Sequence, residues 1–402
     1  MLLLVFNSGS SSLKFDLLEV SAGGQVGRLK AGVYVDRADG SGGFELRTAA
    51  RMDPCSAPPH TLAEAARAAL DWLANSALHG RDLLSGVDAT VHRIVHGGDA
   101  FRATTRLAGG QLAALGEIAA LAPLHLPPAL AVIAAVRSGL GSNVPVVGVF
   151  DTAYYTELPE AEVCYAVPAR WRGEFGVRRY GFHGIAHRYL CQAARARLSG
   201  LRDATRIISL QLGRGCSVTA SLGSRAIATS MGFTPLAGLV MGTRSGDVDP
   251  GALLHVMERS GMSAAELRHA LNEQSGLLGL SGRSADMRAL LALEQQADAG
   301  AALAVEVFCR RARHYLAAYL AELGGADVIV FGGGIAENCP DIRRRILSGL
   351  DWAGIHVHEA ANAACVGVAA DIAAATSRVA IQVVPVDEAS LMASDAALLL
   401  SA

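Results

Sequence analysis

Short apolar runs and apolar repeats at three-and-four spacing take turns along this chain. Residues 2–6 form a brief run with a β-branched residue and an aromatic, which suits a buried strand. Residues 7–12, NSGSSS, have a turn composition of glycine, amide and hydroxyls. Residues 13–20 resume an extended pattern, so the opening is predicted to be a strand–turn–strand hairpin. Residues 23–43 alternate extended pieces with glycine turns and continue the sheet, and residues 51–60, with three prolines, read as a loop. Over residues 61–77, Leu62, Ala65, Ala66, Ala69, Leu70 and Leu73 recur at helical spacing. Residues 121–128, LAPLHLPP, read as a rigid loop between helical stretches. Further strands are expected at 90–95, 144–150, 207–212, 217–222, 327–331 and 379–386. Helices are expected at 185–198, 251–260, 263–273, 301–323 and 389–400, with Ser263 and Glu266 spaced as a capping box. Another helix starts at Ser284 or Ala285.

Strands alternating with helices place the chain in the α/β class. A length of 402 residues exceeds one ordinary core. The expected division is residues 1–152, residues 153–386, and a terminal helix at 387–402 that packs back on the first part. Two strand–glycine turn–strand hairpins, at 2–20 and 207–222, suggest two copies of one architecture. A net charge of −2 gives no overall pull toward nucleic acid or anionic membrane. No apolar run is long enough to span a bilayer, and no basic segment precedes the first apolar run. Seven scattered cysteines without CxxC spacing read as reduced thiols of a cytoplasmic protein with no zinc site.

Several stretches carry chemistry. The N-terminal turn would offer N–H groups, hydroxyls and the Lys14 ammonium to a phosphate chain, and Asn7 an amide oxygen to hydrated magnesium. The plainer reading is a Ser/Gly hairpin with a solvated lysine. Arg93 sits inside an apolar strand, so its guanidinium either pairs with a structural carboxylate or faces an anion. Gly97 and Gly98 let the backbone turn after it. His125, among prolines and leucines, is a packing residue or a pocket lip. Asp151 follows a strand end, where ligands bind in open α/β sheets. His183 precedes a helix N-terminus with His187 one turn on; a metal pair at that spacing lacks a local third ligand. Gly213-Arg214-Gly215 repeats the glycine turn with a cation. Residues 229–250 hold no long period, and Arg244 there lies between Gly242 and Gly246. The glycine run 332–334 between a strand and a helix suits a nucleotide phosphate.

Eight motifs then follow one another: NSGSSSLK from Asn7, VHRIVHGG from Val91, APLHLPP from Ala122, FDTAY from Phe150, YGFHGIAH from Tyr180, TPLAGLVMGTRSGDVDP from Thr234, FGGGIAEN from Phe331 and VPVDEASLM from Val384. In that order they resemble the acetate kinase family, within the acetate/sugar kinase–heat-shock protein–actin superfamily. The resemblance implies a two-domain α/β, ribonuclease H-like fold with a duplicated βββαβαβα core and a cleft between lobes. It implies reversible, direct in-line transfer of the γ-phosphoryl of ATP to acetate, giving acetyl phosphate and ADP, in a homodimer. Asn7 and Glu388 resemble the family's magnesium residues, with manganese as the alternative ion. Asp151, His183 and Arg244 resemble the catalytic residues, and Arg93, Val95, Leu124, Phe182 and Pro235 the substrate contacts. Lys14, the segment Gln211, Leu212, Gly213, Arg214 and Gly215, the segment Asp286, Met287 and Arg288, and the segment Gly334, Ile335, Ala336, Glu337 and Asn338 resemble the nucleotide contacts. The chain departs from the family where Gln211 replaces a usual histidine, Arg214 an asparagine and Ala389 a second glutamate. The alternatives are a propionate or butyrate kinase, or a nucleotide-binding regulator weakened at Gln211 and Arg214.

Overall fold

The computed structural model describes residues 1–9, 12–35, 43–48, 51–54, 59–75, 77–78, 81–198 and 204–402. They divide into two compact units, Met1–Tyr154 with Asp387–Ala402, and Tyr155–Val386.

In the first unit the chain forms β1 (Leu2–Ser8), β2 (Ser12–Val20), β3 (Val26–Val35), β4 (Gly43–Thr48) and β5 (Arg51–Pro54), then the small hairpin β6 (Ala77–Leu78) and β7 (Arg81–Asp82), then β8 (Ala89–Ile94), β9 (Thr105–Arg106) and β10 (Val146–Phe150). All but β6 and β7 join one sheet of order β5-β4-β3-β2-β1-β8-β10-β9. β1 pairs antiparallel with β2, with Asn7 opposite Lys14, and parallel with β8. β8 and β10 are also parallel. The hairpin tip includes Ser10 and Ser11, which lie outside the described residues. The helix Leu62–Ala74 buries Leu62, Ala65, Ala66, Ala69, Leu70 and Leu73. These pack with Val132 and Val136 of the helix Leu126–Leu140 into one core.

Three expectations change here. Residues 51–54 are a strand, not part of a loop; Pro54 sits on the outermost strand of the sheet, where a missing N–H breaks no ladder. The first helix stops at Ala74 rather than running to residue 77. Asn75 ends it by donating both its amide nitrogen, at 2.8 Å, and its backbone N–H to Asp71 O. The segment 121–128 is no simple loop: Pro127 and Pro128 occupy the first turn of the Leu126–Leu140 helix, where an N–H has no intrahelical acceptor anyway.

The terminal helix Glu388–Ser401 belongs to this unit and buries Ala389, Leu391, Met392, Ala393 and Ala396. Asp387 caps it by accepting from Ser390 N–H at 3.1 Å. Arg28 bridges Asp387 at 2.8 Å and Asp16 at 2.6 Å.

The second unit is built from β11 (Arg206–Leu212), β12 (Cys216–Leu222), β13 (Arg225–Thr229), β14 (Val328–Gly332), β15 (Ala370–Asp371) and β16 (Ala380–Val383), ordered β13-β12-β11-β14-β16-β15. This repeats the order β3-β2-β1-β8-β10-β9 strand for strand. Both runs have two antiparallel pairs, two parallel pairs and an antiparallel edge strand that precedes its neighbour in the chain. The duplicated α/β fold is therefore present in the pairing itself. The helix Gly184–Ala196 lays Leu190, Cys191 and Ala194 on Ile207, Val328 and Val330. The helix expected from Ser284 or Ala285 begins at Met287, because Asp286 caps it by accepting from the N–H groups of Arg288 and Ala289. Ser263 and Glu266 form a capping box on the helix Ala264–Glu273. Among the described residues no helix is long and apolar enough to cross a membrane.

Candidate active site

In the first unit, the C-terminal ends of three adjacent parallel strands deliver polar groups to one place. Arg93 Nη2 donates to Asp151 Oδ2 at 2.6 Å and Arg93 Nη1 to Asn7 Oδ1 at 3.1 Å. Asn7 Nδ2 donates to Glu388 Oε2 at 2.5 Å. Asp151 is fully buried and the Arg93 side chain nearly so. Of the two readings of Arg93, pairing with a carboxylate is present. Burial works against the guanidinium's charge, but Asp151 and then Glu388 outweigh it, so Arg93 holds its proton more tightly than an ordinary arginine. Asp151 pairs with the guanidinium directly, and Glu388 is linked to it through Asn7. The donor set of two carboxylates and an amide oxygen is all hard oxygen and fits a magnesium ion.

The turn after β8 is tied to the same strand end. Gly97 N–H donates to Thr152 Oγ1 at 3.0 Å, and Gly98 takes a φ of 57°. A side chain at Gly97 would lie 2.5 Å from Phe101 O. Val95 is buried, Leu124 is 41% exposed, and Lys14 is exposed. His125 starts the Leu126–Leu140 helix and is half-buried.

In the second unit His183 occupies the N-cap of the Gly184–Ala196 helix with a φ of 59°. That left-handed conformation strains a residue with a Cβ, and such strain collects at functional positions. Its Nδ1 lies 2.8 Å from Ser217 Oγ. His187 Nε2 lies 2.7 Å from the same oxygen, and His187 Nδ1 2.7 Å from Ser209 Oγ. Burial drives His187 down to about 3, so this ring is neutral. The two histidines thus share one serine hydroxyl. A Cβ at Gly215 would stand 3.1 Å from His183 Nε2 and 3.0 Å from Arg244 Nη2. The β11–β12 turn thus passes close beneath both the imidazole and the guanidinium.

Arg244 is presented by the irregular segment between β13 and the helix Pro250–Ser260. Its Nη1 donates to Pro235 O at 2.7 Å. The segment is folded onto itself rather than loose. Gly238 N–H donates to Asp247 Oδ1 at 2.7 Å, and Gly246, at φ 70°, leaves only 2.4 Å between a built Cβ and Leu239 O. Phe182 is fully buried and Pro235 half-buried.

The expected nucleotide segments also lie in this unit. The built Cβ of Gly213 is 3.8 Å from Gly334 N, so the β11–β12 turn and the glycine run after β14 are neighbours. Gly333, at φ 85°, passes so close to Leu212 that a Cβ would lie 2.6 Å from its carbonyl oxygen. Glu337 Oε1 accepts from Gly333 N–H at 2.7 Å and Val386 N–H at 3.1 Å, and Asn338 Nδ2 donates to Gly334 O at 2.9 Å. The fully buried Arg343 donates to Ala336 O, and Asn362 and Cys365 hold its other nitrogens. Asp286 pairs with the exposed Arg288, Met287 is buried, and Arg214 is exposed. Gln211 Oε1 is buried with no hydrogen-bond partner among the described residues.

Sequence reading missed Ser209, Ser217 and the supporting role of His187 and Arg343. A signal existed for the serines. Ser209 and Gln211 alternate along β11, Ser217 and Thr219 along β12, and Ser209 pairs with Thr219 and Gln211 with Ser217. Polar residues at period two in otherwise apolar strands mark a polar stripe on one face.

A family model described as the acetokinase family matches residues 2–394. The chain is 43% identical over 401 residues to an acetate kinase of Solibacter usitatus, covering 98% of this chain and 96% of that one. It is similar to the crystal structure of Porphyromonas gingivalis acetate kinase, at 36% identity, 99% coverage of both chains and a TM-score of 0.87. A propionate kinase from Francisella tularensis matches with 32% identity, 98% coverage of both and a TM-score of 0.88. With this match over nearly its whole length, the chain belongs to the acetokinase family, phosphotransferases whose acceptor is a carboxyl group.

Proposed function

We propose that this chain transfers the γ-phosphoryl group of ATP reversibly to acetate, with magnesium, and that the residues assembled in each unit carry the reaction. The carrying observation is the approach of His183 and Arg244 over Gly215, which gathers donors for a phosphoryl group in one place. Acetate is already ionised at neutral pH, so no strong general base is required. A carboxylate oxygen bonds to phosphorus as the bridging oxygen leaves with ADP, and no proton changes hands. The protein's work is alignment and stabilisation of charge on the equatorial oxygens. Arg244 and His183 supply donors to those oxygens, and Arg93, oriented by Asp151, supplies a guanidinium to the substrate carboxylate. Asn7, Asp151 and Glu388 are the residues that would hold magnesium, which when bound offsets the negative charge of the phosphates. Val95, Leu124, Phe182 and Pro235 contact the acyl chain. Lys14, residues 211–215, residues 286–288 and residues 334–338 contact the nucleotide, and the buried Gln211 oxygen accepts a donor from it.

The likeness to a propionate kinase keeps the three-carbon acid as the second reading. One methylene is worth only about 1–3 kcal/mol in a hydrophobic pocket, so the two acids should overlap as substrates. Trapping acetyl phosphate with hydroxylamine in the presence of acetate, ATP and magnesium tests the activity. No product above an Arg244→Ala control sinks the reading, and kcat/KM across two- to four-carbon acids ranks the acceptors.

A homodimer is part of the same reading. The helices Pro250–Ser260 and Ala264–Glu273 bury no residue in the chain, while Leu254 is 60% and Val256 42% exposed. Light scattering on a Leu254→Asp variant checks it, with a monomer expected. Six free thiols among the described residues and the use of ATP suit the cytoplasm.

A further inference from the structure

The hydrogen bonds around Ser217 can be assigned a direction, donor by donor. Ser209 Oγ donates its only proton to Thr219 O at 3.4 Å. With that proton given to a carbonyl across 3.4 Å, we assign the 2.7 Å contact between Ser209 and His187 to donation by His187 Nδ1–H. His187 is fully buried among strand residues and neutral, so one proton on Nδ1 leaves Nε2 as an acceptor. The 2.7 Å contact there is donated by Ser217 O–H. That uses the one proton of Ser217, so its 2.8 Å contact with His183 must be donated by His183 Nδ1–H. Among the described residues no other side-chain hydrogen bond competes at Ser217 or His187.

Resting on the assignment of His183 to the transferring phosphoryl group, we propose that Ser217, His187 and Ser209 are positioning residues. They hold His183 protonated on Nδ1 in both of its charge states, so that Nε2 is the nitrogen that gains and loses a proton. The direction of the relay is set three residues away, at a backbone carbonyl of β12. The Nε2 edge is also the edge that faces Gly215 and Arg244. It donates to a phosphoryl oxygen only while the ring is an imidazolium; once neutral, it turns a lone pair toward that oxygen. Arg244 stands over the same glycine, the Cys216 thiol next along the chain is pushed up to about 12 by burial, and the Tyr155 phenol donates to Phe182 O, the carbonyl before His183. On this reading kcat should decline as the His183 ring loses its imidazolium proton.

Removing the Ser217 hydroxyl leaves His183 Nδ1–H without this acceptor and His187 Nε2 without its donor. The neutral His183 ring is then free to carry its proton on Nε2, which still donates. Ser217→Ala should therefore lower kcat about ten- to a hundredfold near neutrality, as loss of a histidine's supporting partner does. KM for ATP should be nearly unchanged. The alkaline decline should become shallower, which a merely structural loss would not cause. Nitrogen NMR of the full-length protein labelled at histidine reads the tautomer directly, above the pH at which His183 loses its charge. The wild type should show His183 protonated at Nδ1, and Ser217→Ala and Ser209→Ala should each shift it toward Nε2. Protonation at Nε2 in the wild type, or an unchanged spectrum in both variants, overturns the proposal. A spectrum as expected together with full activity in His183→Ala would keep the relay and remove His183 from the phosphoryl group.

Discussion

The two units carry one strand order and hold their polar groups in opposite electrical states. At the strand ends of the first, Arg93 pairs with the buried Asp151 and reaches Glu388 through Asn7, an ion pair largely out of water with a hydrogen-bonded extension. In the second, Ser217, His187 and Ser209 form a buried chain that is neutral throughout. A charged network must stay balanced, because a lone buried ion is costly. A neutral chain tolerates small edits and transmits direction instead, since each hydroxyl has one proton to give. The same topology thus fixes a charge in one copy and a tautomer in the other.

The largest expected effect lies on the second unit's cation. Arg244→Ala should lower kcat by about a thousandfold or more, as removal of an arginine from a phosphoryl-transfer site does, and steady-state kinetics would show it. Next comes the charge balance of the first unit. Arg93→Leu strands the buried Asp151 and should cost about 3–5 kcal/mol in urea unfolding, with activity abolished. If Arg93→Leu unfolds no more readily than wild type, the contrast between units is wrong. Gly246→Ala, at φ 70° and against Leu239 O, should cost about 1–3 kcal/mol by the same measurement.

Acid sensitivity separates the units more finely. Folded His187 accepts a proton only near pH 3, whereas the unfolded chain accepts it near 6.5. The unfolded state binds more protons between those values, so stability is lost as pH falls below 6.5. His187→Gln should remove roughly 1 kcal/mol of that loss per pH unit. His92 and His96 of the first unit, pulled by burial to about 3 and about 4, will keep theirs. The smallest effect belongs to the exposed Arg28. Its replacement by alanine should change stability by about 1 kcal/mol or less, most visibly at low salt.

Much of this was legible in the chain. The strands β1, β8, β11 and β14, the terminal helix and the irregular segment carrying Arg244 follow from period, caps and glycine spacing, which are local. The edge strands β5, β9 and β15 were not legible, because short edge strands exist only through a partner. Arg93 announced itself as a cation needing company, but nothing near it in sequence named Asp151, 58 residues away. Ser217 looked like an ordinary strand residue, and its meaning lies in two histidines brought to it by a helix.

Residue order alone determined the duplicated α/β plan, the family, and which side chains were chemically conspicuous, since spacing and composition act over a few residues. Which groups meet, and which atom of each carries the proton, was decided only when distant strands and a helix closed on one another. Hydrogen-bond direction is a property of a whole closed chain of donors, and no stretch of sequence contains all of its members.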